Sequence, residues 1–129
     1  MAERSRDWLR QAEVDLRQAR SSRESGFHEW AAFAAHQAAE KAIKAVFQKL
    51  HLEAWGHALS ALLEALPPQA KPDAGLIERA KDLDLHYIPT RCPNGFERGA
   101  PTDYYTRSQA DRAIADAEAI IGFCRDQVG

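Results

Sequence analysis

Ala31-Ala32-Phe33-Ala34-Ala35-His36-Gln37-Ala38-Ala39-Glu40-Lys41-Ala42-Ile43-Lys44-Ala45 holds eight alanines, at 31, 32, 34, 35, 38, 39, 42 and 45. Alanine favours the helix intrinsically, because it has no side-chain entropy to lose. Extended outward to Phe27 and Leu50, the stretch places Trp30, Ala31, Ala34, Ala38, Ile43, Phe47 and Leu50 on a broad apolar face. So many small residues let a helix backbone come close to its neighbours. A central helix over 27–50 is therefore expected, and the other elements should pack around it.

Upstream, Trp8, Leu9, Ala12, Leu16 and Ala19 recur at steps of three and four and give a first helix one apolar stripe. Ser21 to Gly26 supplies the turn, and Glu29 suits the third position of the helix that follows. Downstream, Trp55-Gly56-His57 makes another turn. Leu59, Leu62, Leu63 and Leu66 then form a short helix that Pro67-Pro68 ends, since proline lacks the amide donor. A fourth helix follows Pro72-Asp73 with Leu76, Ile77, Ala80, Leu83 and Tyr87 as its stripe, and Pro89 stops it. Thr106-Arg107-Ser108-Gln109 reads as a capping box for a last helix carried by Ala110, Ala113, Ile114, Ala117, Ile121, Cys124 and Val128. The expected fold is all-α, an up-and-down bundle of four to five helices over residues 1–129 as one domain. One long connection, Ile88 to Tyr105, precedes the last helix. Loops of that length are usually functional or disordered, and its aromatics argue for packing.

Composition narrows the function. The 129 residues suffice for one sizeable core. Seventeen Lys and Arg against nineteen Asp and Glu give a net charge of −2, which disfavours a general coat for nucleic acid. Local basic sites stay open: Arg79, Lys81, Arg91, Arg98 and Arg107 share one segment, and two facing copies would enlarge a cationic cleft. Two cysteines, Cys92 and Cys124, make neither a disulfide scaffold nor a zinc site. The charged N-terminal residues do not resemble a signal peptide, and no apolar run has the length of a membrane span. The expectation is a cytoplasmic protein with no metal and no cofactor.

Leu83-Asp84-Leu85-His86-Tyr87-Ile88-Pro89-Thr90-Arg91-Cys92-Pro93 resembles the L-D-x-x-Y-I-P-T-R-Y-P signature of HEPN domains. Asp7-Trp8-Leu9-Arg10-Gln11-Ala12-Glu13, the alanine-rich stretch, Gly56-His57-Ala58-Leu59 and Tyr104-Tyr105-Thr106 are similar to other parts of that family. Cys92 stands where the family has an aromatic, and His36 where it usually has Gln. The resemblance implies a helical bundle and a homodimer. It also implies a minimal nucleotidyltransferase partner in a toxin–antitoxin pair, and, for many members, metal-independent ribonuclease activity from an Arg and a His four to six residues apart.

Arg79 and His86, with six residues between them, match that last pattern. On a continuous helix the two side chains would lie within roughly 20° of each other. Histidine can move protons near neutral pH, and arginine can hold a phosphate as a rigid fork. Solvated residues at a bundle edge are the plainer reading of the pair. Thr90 and Arg91, held extended between Pro89 and Pro93, are the second candidate. Arg91 either anchors the loop, by pairing with Asp84 or capping the fourth helix, or grips a nucleotide phosphate while Tyr87, Tyr104 or Tyr105 stacks on the base. His57 is explained by a helix-start turn, His36 by a satisfied interior position, and Lys41 and Lys44 by pairing with Glu40.

Three functions follow. The first is a nucleotide-binding (ATP or GTP) interaction module working with a minimal nucleotidyltransferase, with Tyr87, Thr90, Arg91, Tyr104 and Tyr105 at its site. The second is a ribonuclease toxin acting on RNA with Arg79 and His86 at a dimer cleft, where Tyr87 could accept a nucleotidyl group from the partner. The third is a scaffold with neither activity.

Overall fold

The computed structural model describes residues 3–129, and among them every regular element is helical. In chain order these are α1 (Ser5–Glu24), α2 (His28–Lys49), α3 (Leu59–Glu64), α4 (Ala74–Asp84), α5 (Pro101–Tyr104) and α6 (Arg107–Val128), with single 3-10 turns at Pro68–Ala70 and Pro93–Gly95. The central helix lies where the alanines place it. Ala31, Ala32, Ala35, Ala38, Ala39, Ala42 and Ala45 are fully buried, and α2 touches each of the other five helices. Ile43, Leu59, Leu63, Leu83, Ile120 and Ile121 fill the space that these short side chains leave open.

The turn between α1 and α2 is tighter than expected, since Ser21 to Glu24 remain helical. Gly26, at φ 84°, makes the reversal alone. The Phe27 amide reaches the Ser22 carbonyl at 2.8 Å, closing the glycine-ended helix stop in which a left-handed residue satisfies the last carbonyls. Phe27 is the residue capping α2, so Glu29 falls one place earlier than the third position.

The fourth helix is also shorter than its stripe suggests. It ends at Asp84, not at Pro89, because the chain tightens: the His86 amide bonds the Leu83 carbonyl and the Tyr87 amide the Asp84 carbonyl, both three residues back. The long connection contains α5, whose start is fixed by Asp103 accepting the Ala100 amide at 2.8 Å. The Thr106 capping box forms as read. Gln109 N donates to Thr106 Oγ1 at 3.2 Å, and Thr106 N donates to Gln109 Oε1 at 2.8 Å. Thr106→Ala is expected to lower the unfolding free energy by about 1 kcal/mol in urea titration. A change near zero would show that α6 does not depend on this cap. No helix among the described residues is long and apolar enough to cross a membrane.

Candidate functional site

Residues 85–91 wind through consecutive turns. Thr90 is buried, its hydroxyl donating to the His86 carbonyl at 2.7 Å, and the amides of Arg91 and Cys92 both reach the Ile88 carbonyl. The segment is therefore not extended at Thr90–Arg91. It delivers Tyr87 onto the flank of α2. There the Tyr87 ring meets Phe33 at 6.3 Å between centroids, His36 at 5.0 Å, and His57 at 5.1 Å with the planes only 17° apart. Arg91 completes the group. Its Nε donates to the Tyr87 carbonyl at 3.0 Å, and its guanidinium carbon sits 4.6 Å from the Phe33 centroid and 4.7 Å from that of Tyr87. An exposed cation is thus held against two rings, an attractive arrangement that also fixes its direction.

Two carboxylates support this cluster. Asp84 accepts from Leu59 N at 2.6 Å, Ser60 N at 3.1 Å and Ser60 Oγ at 2.7 Å, so it caps α3 from the end of α4. It does not pair with Arg91, which turns to the Tyr87 carbonyl instead. Partial burial works against ionisation of Asp84, but His36 and the Ser60 and Leu59 hydrogen bonds outweigh it and hold the carboxyl below its usual range. His36 is fully buried, with Nε2 3.7 Å from Asp84 Oδ1, beyond hydrogen-bond range. It is an interior histidine with one nitrogen unsatisfied. Glu40, buried on α2, accepts from Lys44 Nζ at 2.9 Å and has both oxygens 3.0 Å from His57 Nδ1. Burial opposes its charge, and Lys44 and His57 together keep its carboxyl below the ordinary value. His57 thus does more than start a helix. Lys41 reaches across to Asp15 of α1, leaving Glu40 to Lys44.

The other expected site residues have different surroundings. Arg79 bonds Asp116 of α6 at 3.0 Å, whereas His86 Nδ1 shares a 2.7 Å hydrogen bond with the Tyr105 hydroxyl. The helix end at Asp84 lies between Arg79 and His86, so the regular angular relation between them is lost. Burial, and then the charge of His36, lower the His86 pKa, while burial pushes the Tyr105 phenol up to about 12. Asp116 is shifted upward by burial and by Asp82, against the pull of Arg79. Tyr104 stacks on Phe96 at 4.2 Å with nearly parallel planes, its hydroxyl donating to the Arg98 carbonyl. Of the five residues read as nucleotide-binding, Tyr87 and Arg91 come together; Thr90, Tyr104 and Tyr105 are occupied within the fold. Arg79 and Arg107 are paired to Asp116 and Glu24 on different helices, so the basic residues of this segment do not act as one free cationic surface.

Phe33, Glu40 and His57 were not legible as site residues. The Glu40–Lys44 spacing marks a helical pair. A buried glutamate within an alanine run needs a further donor, but nothing local in the sequence indicates His57, seventeen positions away. Phe33 also walls an open hollow of about 680 Å³ between α1 and α2, lined with Phe27, Trp30, Ala34, Gln37 and Lys41. Phe27 and Trp30 are about half exposed there, and Trp30 meets Phe33 edge-on at 6.1 Å.

Comparison with protein-family profiles matches residues 5–127 to the HEPN domain. Among solved structures, a protein from Thermus thermophilus is 41% identical, with a TM-score of 0.95 and coverage of 98% of this chain and 99% of that one. An archaeal HEPN homologue is 38% identical, with a TM-score of 0.84 over 99% and 100% of the two chains. An HEPN domain protein from Thermotoga maritima is 36% identical, with a TM-score of 0.75 over 93% and 95%. No protein with a curated description matches the chain.

Proposed function

The chain belongs to the HEPN domain family, and from that premise we propose that it is a nucleotide-binding interaction module working with a minimal nucleotidyltransferase in a pair of the toxin–antitoxin kind. The observation that carries the nucleotide half is the Arg91 guanidinium, exposed and held against the rings of Phe33 and Tyr87. A fixed guanidinium with no carboxylate partner among the described residues offers a phosphate two parallel charge-assisted hydrogen bonds. Nothing needs to be rebuilt before the ligand arrives, since Arg91 is already oriented by the Tyr87 carbonyl. Arg79, by contrast, has an aspartate as partner, and His86 is directed at Tyr105.

The interaction half rests on the Phe27–Trp30 rim of the α1–α2 hollow. Large, half-exposed aromatics beside a groove are a common mark of a protein-binding surface. HEPN domains commonly dimerise, and this rim is the face proposed to meet a second copy or the nucleotidyltransferase. A neighbouring reading frame encoding a nucleotidyltransferase, together with co-purification of the two products, tests the pairing.

Calorimetric titration with ATP and with GTP tests the site. Saturable binding of one of them is expected, weakened about tenfold or more by Arg91→Ala. If neither nucleotide binds, or if the variant binds as well as the parent, the reading is wrong.

A further inference from the structure

We propose that Glu40 and His57 form a proton-transfer dyad that hydrolyses a phosphoanhydride of a nucleoside polyphosphate held by Arg91. The inference rests on the nucleotide-binding reading above and extends it from binding to chemistry. Glu40 has only 7% of its side chain exposed, whereas His57 has 53% exposed. Both Glu40 oxygens face His57 Nδ1 at 3.0 Å, and Lys44 holds the carboxylate from its other side at 2.9 Å. An ionised carboxylate accepts, so Nδ1 carries a proton, and whenever the ring holds a single proton its lone pair is on Nε2. Among the described residues, no group hydrogen-bonds that Nε2. A buried carboxylate fixing the tautomer and direction of an exposed histidine is the arrangement by which proteins prepare a general base.

The ring is fixed in two further ways. It lies flat on Tyr87, and two and three residues along the chain the amides of Leu59 and Ser60 are pinned by Asp84. Arg91 approaches the same Tyr87 ring, its guanidinium carbon 4.7 Å from the centroid, while the His57 ring is 5.1 Å from it. Both groups lie against one ring, so the proposal runs the phosphate chain from Arg91 past Tyr87 to the imidazole. In the step proposed, a water oxygen bonds to phosphorus while its proton passes to His57 Nε2. The bond from phosphorus to the bridging oxygen breaks, and that oxygen leaves with the electron pair. Glu40 stabilises the imidazolium, which then releases its proton to solvent. Water and the nucleotide are the only reactants, and the products are the shortened nucleotide and inorganic phosphate. Here His57 is the catalytic residue and Glu40 its positioning residue.

ATP in magnesium buffer, followed by phosphorus NMR, is the assay, with calorimetry run in parallel. His57→Gln keeps an amide that can reach Glu40 but cannot take a proton. It is expected to bind ATP within about threefold of the parent and to lose about 100-fold or more of the turnover. Glu40→Gln should lower turnover and move the acid limb of the pH profile to lower pH, because the imidazolium loses its counter-charge; a merely structural role would leave that limb in place. Circular dichroism on both variants checks the fold, and either one alone suffices for the test. ATP binding without turnover, or turnover that survives His57→Gln, overturns the dyad while leaving nucleotide binding intact. Absence of ATP binding overturns both.

Discussion

Asp84→Ala is expected to lower the unfolding free energy by about 3 kcal/mol and the Tm by about 10 °C. Asp84 does the work of an N-cap for a helix to which it is not joined. It takes the amides of Leu59 and Ser60 and the Ser60 hydroxyl, and it faces the buried His36. Ordinary cap removal costs about 1 kcal/mol. Here two amides and a hydroxyl lose their acceptor in a partly buried place, and the desolvation of each unsatisfied group adds to the loss. Asp84→Asn keeps one acceptor oxygen, so its loss should be about half as large. The pH dependence has a definite sign. The folded-state pKa lies below the unfolded one, so this stabilisation is complete above the unfolded value of about 4 and disappears as pH falls through the folded value. Parent and Asp84→Ala stabilities should therefore converge in acid. Urea titrations at pH 7 and at pH 3 measure both effects. A loss under about 0.5 kcal/mol at pH 7 would leave α3 anchored by something other than Asp84.

The same residue shows why part of the fold was legible in the sequence and part was not. Features written in neighbouring positions could be read directly. The alanines of α2 report both propensity and close packing, and Thr106 and Gln109 cap α6 across three residues. The end of α4 misled because Tyr87 continues the stripe of Leu76, Ile77, Ala80 and Leu83 past Asp84. Leu85 is 70% exposed and Ile88 50%, so apolar character there does not track burial in the core. Asp84 serves α3 from twenty-five positions away, and Glu40 meets His57 at seventeen. Such pairings depend on how α2, α3 and α4 come together, which no local spacing encodes. Within the site, Tyr87 and Arg91 were legible from the proline-flanked stretch and its aromatics, although a turn that brings the guanidinium back to the Tyr87 carbonyl replaces the extended geometry expected there. Their partners Phe33 and His57 arrive from α2 and from the loop before α3. The sequence therefore pointed to the loop that carries Arg91 and missed the wall against which it stands.

The alanines of α2 support the second large effect. Ala38→Leu is expected to destabilise the protein by about 3 kcal/mol, and Ala34→Leu by about 0.5 kcal/mol or less. Leucine is nearly as good a helix former as alanine, so propensity cannot separate the two substitutions. Both add the same atoms to the same helix, four residues apart. Ala38 is fully buried in the core, where α1 and α6 lie close along α2. Its new methyl groups can be accommodated only by off-rotamer side chains or by moving a helix, and dense interiors resist both. Ala34 borders the open hollow between α1 and α2, so a leucine there can extend over Phe33 and Gln37 without displacing backbone. Paired urea titrations with unchanged m-values read the difference directly. Equal losses at the two positions would mean that α2 is alanine-rich for helix formation alone, and that its neighbours have room to retreat.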